Sequence, residues 1–313
     1  METLLHTEHL KKYYGQNPVV RAVDDVTLDI REGESLALIG ESGSGKTTFG
    51  KLVSRLERPT NGEIFFMGKA VGQLTETQFR PLRRHLQIIF QSSGGVFDPS
   101  YTIGDSIREV LQNFESCTRA EAEDRIDEAL EKTGLDPALK NRYARQLSGG
   151  QCQRANIARA LVLRPKLVIC DEPVSSLDYS IRKQTLNLLN EIQQQNDVTY
   201  LLITHDLSNV SYVCQNVAIL FQGRVVEYLE GTERIGERVC HPYSRILFAS
   251  IPAANPRLRT IGQEEEEDIA LPRGTDKGCP YADRCPECLA VCREETPVMR
   301  EAGTGHSVAC LRR

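Results

Sequence analysis

The chain has 313 residues, 40% hydrophobic and 26% charged, so it can bury a substantial core as one large domain with an appendage or as two modest domains. A formal net charge of -5 argues against a broad basic surface, and no nucleic-acid partner is expected. No run approaches the roughly 18 apolar residues that span a bilayer, and the start Met1-Glu2-Thr3-Leu4-Leu5-His6 lacks a basic segment followed by an apolar one, so a soluble cytoplasmic protein is expected.

In chain order, Val23–Ile30 and Ser35–Ile39 read as strands and Thr47–Leu56 as a helix. The section from about Ile103 to Leu163 is largely helical, with Ile126, Ala129 and Leu130 at helical spacing in Ala120–Lys132. Strands return at Leu167–Cys170 and Thr199–Thr204 around a helix from Tyr179 to about Gln195, an alternation that implies a parallel sheet with helical cover. Gln222-Gly223-Arg224 separates Val217–Phe221 from Val225–Leu229 as a hairpin turn does. Residues 252–278, with Glu264-Glu265-Glu266-Glu267-Asp268, have linker composition, a solvated acidic helix end being the other reading.

Between the second strand and its helix lies Gly40-Glu41-Ser42-Gly43-Ser44-Gly45-Lys46-Thr47-Thr48, a complete phosphate-binding loop. Glycines let successive N–H groups face one concavity, Lys46 can reach the β- and γ-phosphates, and the Thr47 hydroxyl can ligate Mg²⁺. A flexible Gly/Ser turn is the competing reading. Further on, Leu167-Val168-Ile169-Cys170-Asp171-Glu172 is an apolar strand ending in two carboxylates, which delivers them to the sheet edge where nucleotides bind. Asp171 is expected to hold Mg²⁺ and Glu172 to orient or deprotonate the attacking water, a plain surface turn being the alternative.

Leu147-Ser148-Gly149-Gly150-Gln151 directly precedes the helical run Cys152–Leu163. Alone, Ser148 could be an N-cap with glycines beside it. With the preceding motifs, the stretch resembles the LSGGQ signature of ABC transporter nucleotide-binding subunits, and the resemblance runs from about Thr3 to Pro252. It implies an α/β P-loop NTPase fold, with a mixed sheet core and a helical subdomain at about 100–163, over residues 1–251. It also implies that Ser148, Gly149, Gly150 and Gln151 grip the γ-phosphate of ATP held by an opposite subunit, so that two chains close head to tail. By the same resemblance Gln91 is the Q-loop glutamine that senses Mg²⁺, Ser176-Leu177-Asp178 is the D-loop, His205 is the switch histidine, and Tyr14 stacks on adenine, Tyr13 being the lesser candidate. Lys46, Glu172 and His205 are the implied catalytic set, and Gly40, Ser42, Gly43, Ser44, Gly45, Thr47 and Thr48 complete the ATP contacts. Cys152 stands where relatives usually carry Gln, and Ser92-Ser93-Gly94-Gly95 departs from their usual turn.

His241-Pro242-Tyr243 and the following residues resemble the dipeptide/oligopeptide and nickel branch of importers. That branch carries a C-terminal cysteine set, present here as Cys279, Cys285, Cys292 and Cys310 within 279–313, and by resemblance these ligate a [4Fe–4S] cluster. Zinc, with His306 as a possible fourth ligand, unligated thiols and a disulfide remain alternatives, and Cys288 is extra to the set. Cys117, Cys152, Cys170, Cys214 and Cys240 read as small hydrophobes. The implied partners are a second, paralogous ATPase subunit, two transmembrane permease subunits and, indirectly, an external solute-binding protein, with the chain peripheral on the cytoplasmic face of the membrane. A non-transport ABC ATPase and an iron–sulfur sensor with a regulatory ATP site are the other functional readings.

Overall fold

A computed structural model describes residues 2–90, 95–175, 177–207, 210–250 and 277–313. The first third holds β1 (Thr3–Tyr14), β2 (Val20–Arg31), β3 (Leu36–Ile39), α1 (Lys46–Val53), β4 (Asn61–Phe66), β5 (Lys69–Ala70), α2 (Glu76–Arg83) and β6 (Leu86–Ile89). β2, β1, β4 and β5 pair in that order as an antiparallel sheet of four strands. The helix expected to reach Leu56 stops at Val53 because Arg55 turns into the left-handed region, φ 58.

The helical section contains α3 (Ile103–Phe114), α4 (Arg119–Lys132) and α5 (Gly149–Leu161), with two short 3₁₀ turns between the last two. All three open on a reciprocal capping box, Thr102 with Asp105, Thr118 with Glu121 and Ser148 with Gln151, so each start is fixed by its own sequence. Ile103, Ile107, Leu111, Ile126, Leu130 and Ala155 are fully buried against one another in a core separate from that of the sheets.

The rest comprises β7 (Leu167–Asp171), α6 (Tyr179–Asn196), β8 (Thr199–Thr204), α7 (Val210–Val213), β9 (Asn216–Phe221), β10 (Arg224–Glu230), α8 (Ile235–Arg238), α9 (Pro242–Ala249), β11 (Arg300–Gly303) and β12 (His306–Val308). The main sheet runs β11-β12-β10-β9-β3-β8-β7-β6. From β9 to β6 its strands are parallel, and β10, β12 and β11 add antiparallel. β3, β7, β8 and β9 are buried at every position, as parallel strands covered on both faces must be. The C-terminal residues therefore extend the main sheet: β12 pairs with β10 through Glu227↔Val308 and Leu229↔His306. Of the linker expected over 252–278, all but residues 277 and 278 lie outside the described residues. No helix among the described residues is long and apolar enough to cross a membrane.

Register places the site. Ile39 pairs with Thr204 and Asp171 with Ile203, so Gly40, Glu172 and His205 leave the carboxyl ends of three neighbouring parallel strands at one level.

Candidate active site

The phosphate loop arches from β3 to α1 with Ser42, Gly43 and Thr47 exposed and Ser44 and Lys46 buried. Gly45 has φ +105, and a Cβ there would sit 1.9 Å from the Ala22 carbonyl oxygen, so no side chain fits where the loop joins its helix. The Lys46 ammonium donates to the Gly40 and Glu41 carbonyls at 2.8 and 2.6 Å, spanning the concavity in which phosphate oxygens would replace those acceptors. Burial pushes its pKa down, and the nearby Glu172, Asp171 and Glu41 charges pull it back up.

Opposite the loop, the Thr47 hydroxyl donates to Asp171 Oδ1 at 3.2 Å, bringing together the two oxygens expected to hold Mg²⁺. A hydroxyl and a carboxylate are the hard donors that cation takes, so this pair fits it. Burial, seconded by the adjacent Glu172 charge, pushes the Asp171 carboxyl up despite the Thr47 bond and the pull of Lys46. Glu172 has φ 47, a region non-glycine residues rarely occupy, and its N–H donates to the Ile203 carbonyl at 2.9 Å. Its Oε1 lies 2.8 Å from Nδ1 of His205, whose ring is mostly exposed. The arrangement is a carboxylate hydrogen-bonded to an imidazole, beside a hydroxyl–carboxylate pair and a lysine spanning the glycine-rich loop. That combination suits hydrolysis of a phosphoanhydride.

Tyr14 ends β1, half exposed; its hydroxyl bonds Glu57 and interacts with Thr48 of α1, which places the ring at the start of that helix. Tyr13 points elsewhere, its hydroxyl donating to the buried Asp24 at 2.5 Å. Gln91 and Ser176, with residues 92–94, lie outside the described residues. Asp178 is the exposed N-cap residue of α6, and Arg182 holds the backbone before it through the Leu177 and Ser175 carbonyls. Ser148 and Gly149 are exposed at the start of α5, with nothing within 4 Å of where a Gly149 Cβ would stand. Gly150 instead packs on Ile181 of α6, and Gln153 donates to the Pro173 carbonyl at 2.8 Å, so α5 is braced against α6 and the turn after β7.

Cys279, Cys285, Cys292 and Cys310 line one pocket, together with His241 and Tyr281. All ten cysteines are free thiols. Burial, then the neighbouring Cys292, Cys310 and Cys285, pushes the Cys279 thiol up to about 11, the cost a bound cation would remove. No three of the four sulfurs lie within 4.8 Å of one another, whereas a single zinc would draw its thiolates to about 3.8 Å apart at Zn–S ≈ 2.3 Å. His306 is engaged elsewhere: its Nε2 lies 2.7 Å from Oε1 of Glu227, a fully buried carboxylate that also takes the Cys240 and His241 N–H groups at 2.6 and 3.2 Å. Sequence reasoning missed this clamp and two residues that touch the phosphate loop: Tyr243, whose hydroxyl accepts the Glu41 N–H at 2.9 Å, and Arg284, which pairs with the Glu41 carboxylate. Only the resemblance of His241-Pro242-Tyr243 to the importer branch gave any signal.

Comparison with known proteins agrees with this geometry. The family described as ABC transporter matches residues 23–175, and that described as oligopeptide/dipeptide transporter, C-terminal region, matches 226–292. A putative peptide import ATP-binding protein of Brucella ovis is 42% identical over 99% of this chain and 98% of its own length. The oligopeptide transport ATP-binding proteins AppF of Bacillus subtilis and OppF of Escherichia coli are 38% and 39% identical, covering 99% and 96% of this chain and 97% and 91% of their own. Among solved structures, a dimeric ATP-binding cassette in a post-hydrolysis state, bound to ADP and Pi, is 26% identical with a TM-score of 0.66, covering 72% of this chain and 98% of its own. Cassette sequence, catalytic edge and C-terminal region thus agree, and the chain belongs to the ATP-binding subunits of ABC transporters, in the oligopeptide/dipeptide branch.

Proposed function

We propose that this chain is the ATP-hydrolysing subunit that powers a peptide importer. The observation that carries the reading is the convergence of Lys46, the Thr47–Asp171 pair and the Glu172–His205 pair on one sheet edge, in a chain whose residues 226–292 match the oligopeptide/dipeptide region. In this mechanism the loop N–H groups and Lys46 receive the β- and γ-phosphates. Glu172 takes the proton of the attacking water, and His205 holds that carboxylate in place. Mg²⁺, when bound, neutralises charge between the phosphates, and Thr47 and Asp171, with Gln91, are the residues that would hold it.

The exposed Ser148–Gly149 start of α5 serves the γ-phosphate on an opposite subunit, a paralogous ATPase, as an N-terminal anion clamp. Losing the γ-phosphate removes that contact and lets the pair reopen, which two permease subunits convert into transport of peptide delivered by an external binding protein. The chain then works as an ATPase unit over 1–251, a linker over 252–278 and a cysteine-bearing extension over 279–313, at the cytoplasmic face of the membrane.

Cys279, Cys285, Cys292 and Cys310 would hold a [4Fe–4S] cluster, a use favoured by one shared pocket and by sulfurs too far apart for a single zinc. An anaerobic, brown preparation with about four irons per chain is expected, and a colourless, zinc-loaded protein removes the cluster. For the importer reading, the chain is reconstituted in vesicles with its permease subunits and peptide-loaded binding protein. ATP hydrolysis should rise with peptide; a rate indifferent to peptide but raised by nickel, or indifferent to both, refutes it.

A further inference from the structure

The second residue of the phosphate loop is held from the far end of the chain. Arg284 Nη1 and Nη2 donate to Glu41 Oε2 and Oε1 at 2.9 and 3.0 Å, a bidentate fork across 243 positions of sequence. The fork is preorganised, because the guanidinium carbon lies 5.6 Å from the centroid of Phe221, the last residue of β9, and 5.7 Å from that of Tyr281. Tyr243 completes the grip by accepting the Glu41 N–H, and its ring packs 5.5 Å from Tyr281. Arg284 is followed directly by Cys285, one of the four thiols of the pocket.

Glu41 is out of place electrostatically. It puts a carboxylate on a loop whose task is to bind a polyanion, and each such charge opposes the ligand unless it is compensated. Arg284 is the compensating cation. We propose that Arg284 is a positioning residue of the ATP site, which neutralises Glu41 and fixes the phosphate loop, so that nucleotide affinity and the state of the cysteine pocket are linked through the Arg284-Cys285 step. The link to the pocket rests on the ligand-holding role given to those thiols above; the neutralisation of Glu41 does not. Linkage is reciprocal, so ATP binding must change the pocket by the factor with which the pocket changes ATP binding.

The test uses the full chain, purified anaerobically, with a fluorescent ATP analogue and Mg²⁺. Arg284→Ala leaves Glu41 uncompensated near the phosphates and should weaken binding about three- to tenfold, as expected for one partly exposed, solvent-screened charge at loop distance. Glu41→Gln should bind as well as the parent or better. The double variant Arg284→Ala/Glu41→Gln should recover the affinity lost in Arg284→Ala, which a merely structural role for Arg284 would not produce. Arg284→Lys, a point charge without the fork, should lie between. After metal removal, Mg–ATP should slow alkylation of Cys285 in the parent and not in Arg284→Ala. Equal affinities for parent and Arg284→Ala, or failure of Glu41→Gln to rescue, overturns the proposal. Iron content and visible absorbance of the parent report separately on the cluster: a colourless protein that shows the rescue removes the cluster and leaves the positioning role standing.

Discussion

Replacing Glu172 by Gln separates binding from chemistry at this site. The side chain takes its place from the β7 register and from His205 Nδ1 at 2.8 Å, and an amide of the same shape can keep that bond through its oxygen. No phosphate-binding group is removed, since the loop N–H groups and Lys46 are untouched, so nucleotide affinity should stay within about threefold, or ~0.7 kcal/mol. What disappears is the proton acceptor, worth about 10²–10⁴-fold in rate, or roughly 3–5 kcal/mol of barrier. Loss of a like charge beside Asp171 also means that the apo protein should not be destabilised. Phosphate release under single-turnover conditions and equilibrium binding of a fluorescent ATP analogue measure the two quantities, and scattering with the partner subunit present should show an ATP-dependent doubling of mass. A rate within tenfold of the parent would take the proton-acceptor role from Glu172.

Asp171→Asn should raise the melting temperature of the nucleotide-free protein by about 2–4 °C, the shift that ~1 kcal/mol produces in a chain of a few hundred residues, because burial and Glu172 both oppose the ionised group. The same variant should lose the Mg²⁺-dependent part of its stabilisation by ATP; an unchanged or lower melting temperature contradicts the argument. Glu227→Ala strands the half-buried Cys240 amide and the buried His241 amide and frees His306, at a cost of about 2–6 kcal/mol in a urea titration. His306→Ala should also destabilise, by about 1–3 kcal/mol, because it takes a hydrogen-bond partner from a fully buried Glu227 oxygen, and the double variant should lose less than the sum of the two.

How far the sequence could be read depends on how local each determinant is. The phosphate loop, the strand ending in Asp171-Glu172 and the Ser148–Gln151 capping box are each written in a few consecutive residues, so their chemistry was visible before their placement. Parallel strands with uniform burial then bring them together. β1 was hidden because its burial does not alternate: register shifts and the left-handed His9, φ 48, interrupt the period of two. β12 has three residues, too short for any pattern, and joins the sheet because Glu227 holds His306. The Arg284–Glu41 pair is an encounter between segments 243 residues apart, and neither residue announces it.

His241 carries the longest chain of consequence, and pH reaches it. Its Nδ1 accepts the Tyr243 N–H at 3.1 Å, capping α9, and so requires an unprotonated nitrogen. Burial alone pushes its pKa down from 6.5 to about 4. The folded value lies below the unfolded one, so the unfolded chain binds the extra proton, and stability is fully present above pH 6.5 and is lost as pH falls toward 4. A shift of that size corresponds to about 3 kcal/mol over the window. His241→Asn keeps an acceptor that does not titrate and should flatten this part of the curve of urea midpoint against pH; identical slopes for parent and variant between those limits refute the assignment. Tyr243 is the second residue of the capped helix and has its hydroxyl on the Glu41 N–H, so ATP affinity should fall over the same window in the parent and hold in His241→Asn. The His241-Pro242-Tyr243 segment thereby reaches the phosphate loop through the Tyr243 hydroxyl, from a helix cap that works only while one imidazole stays neutral.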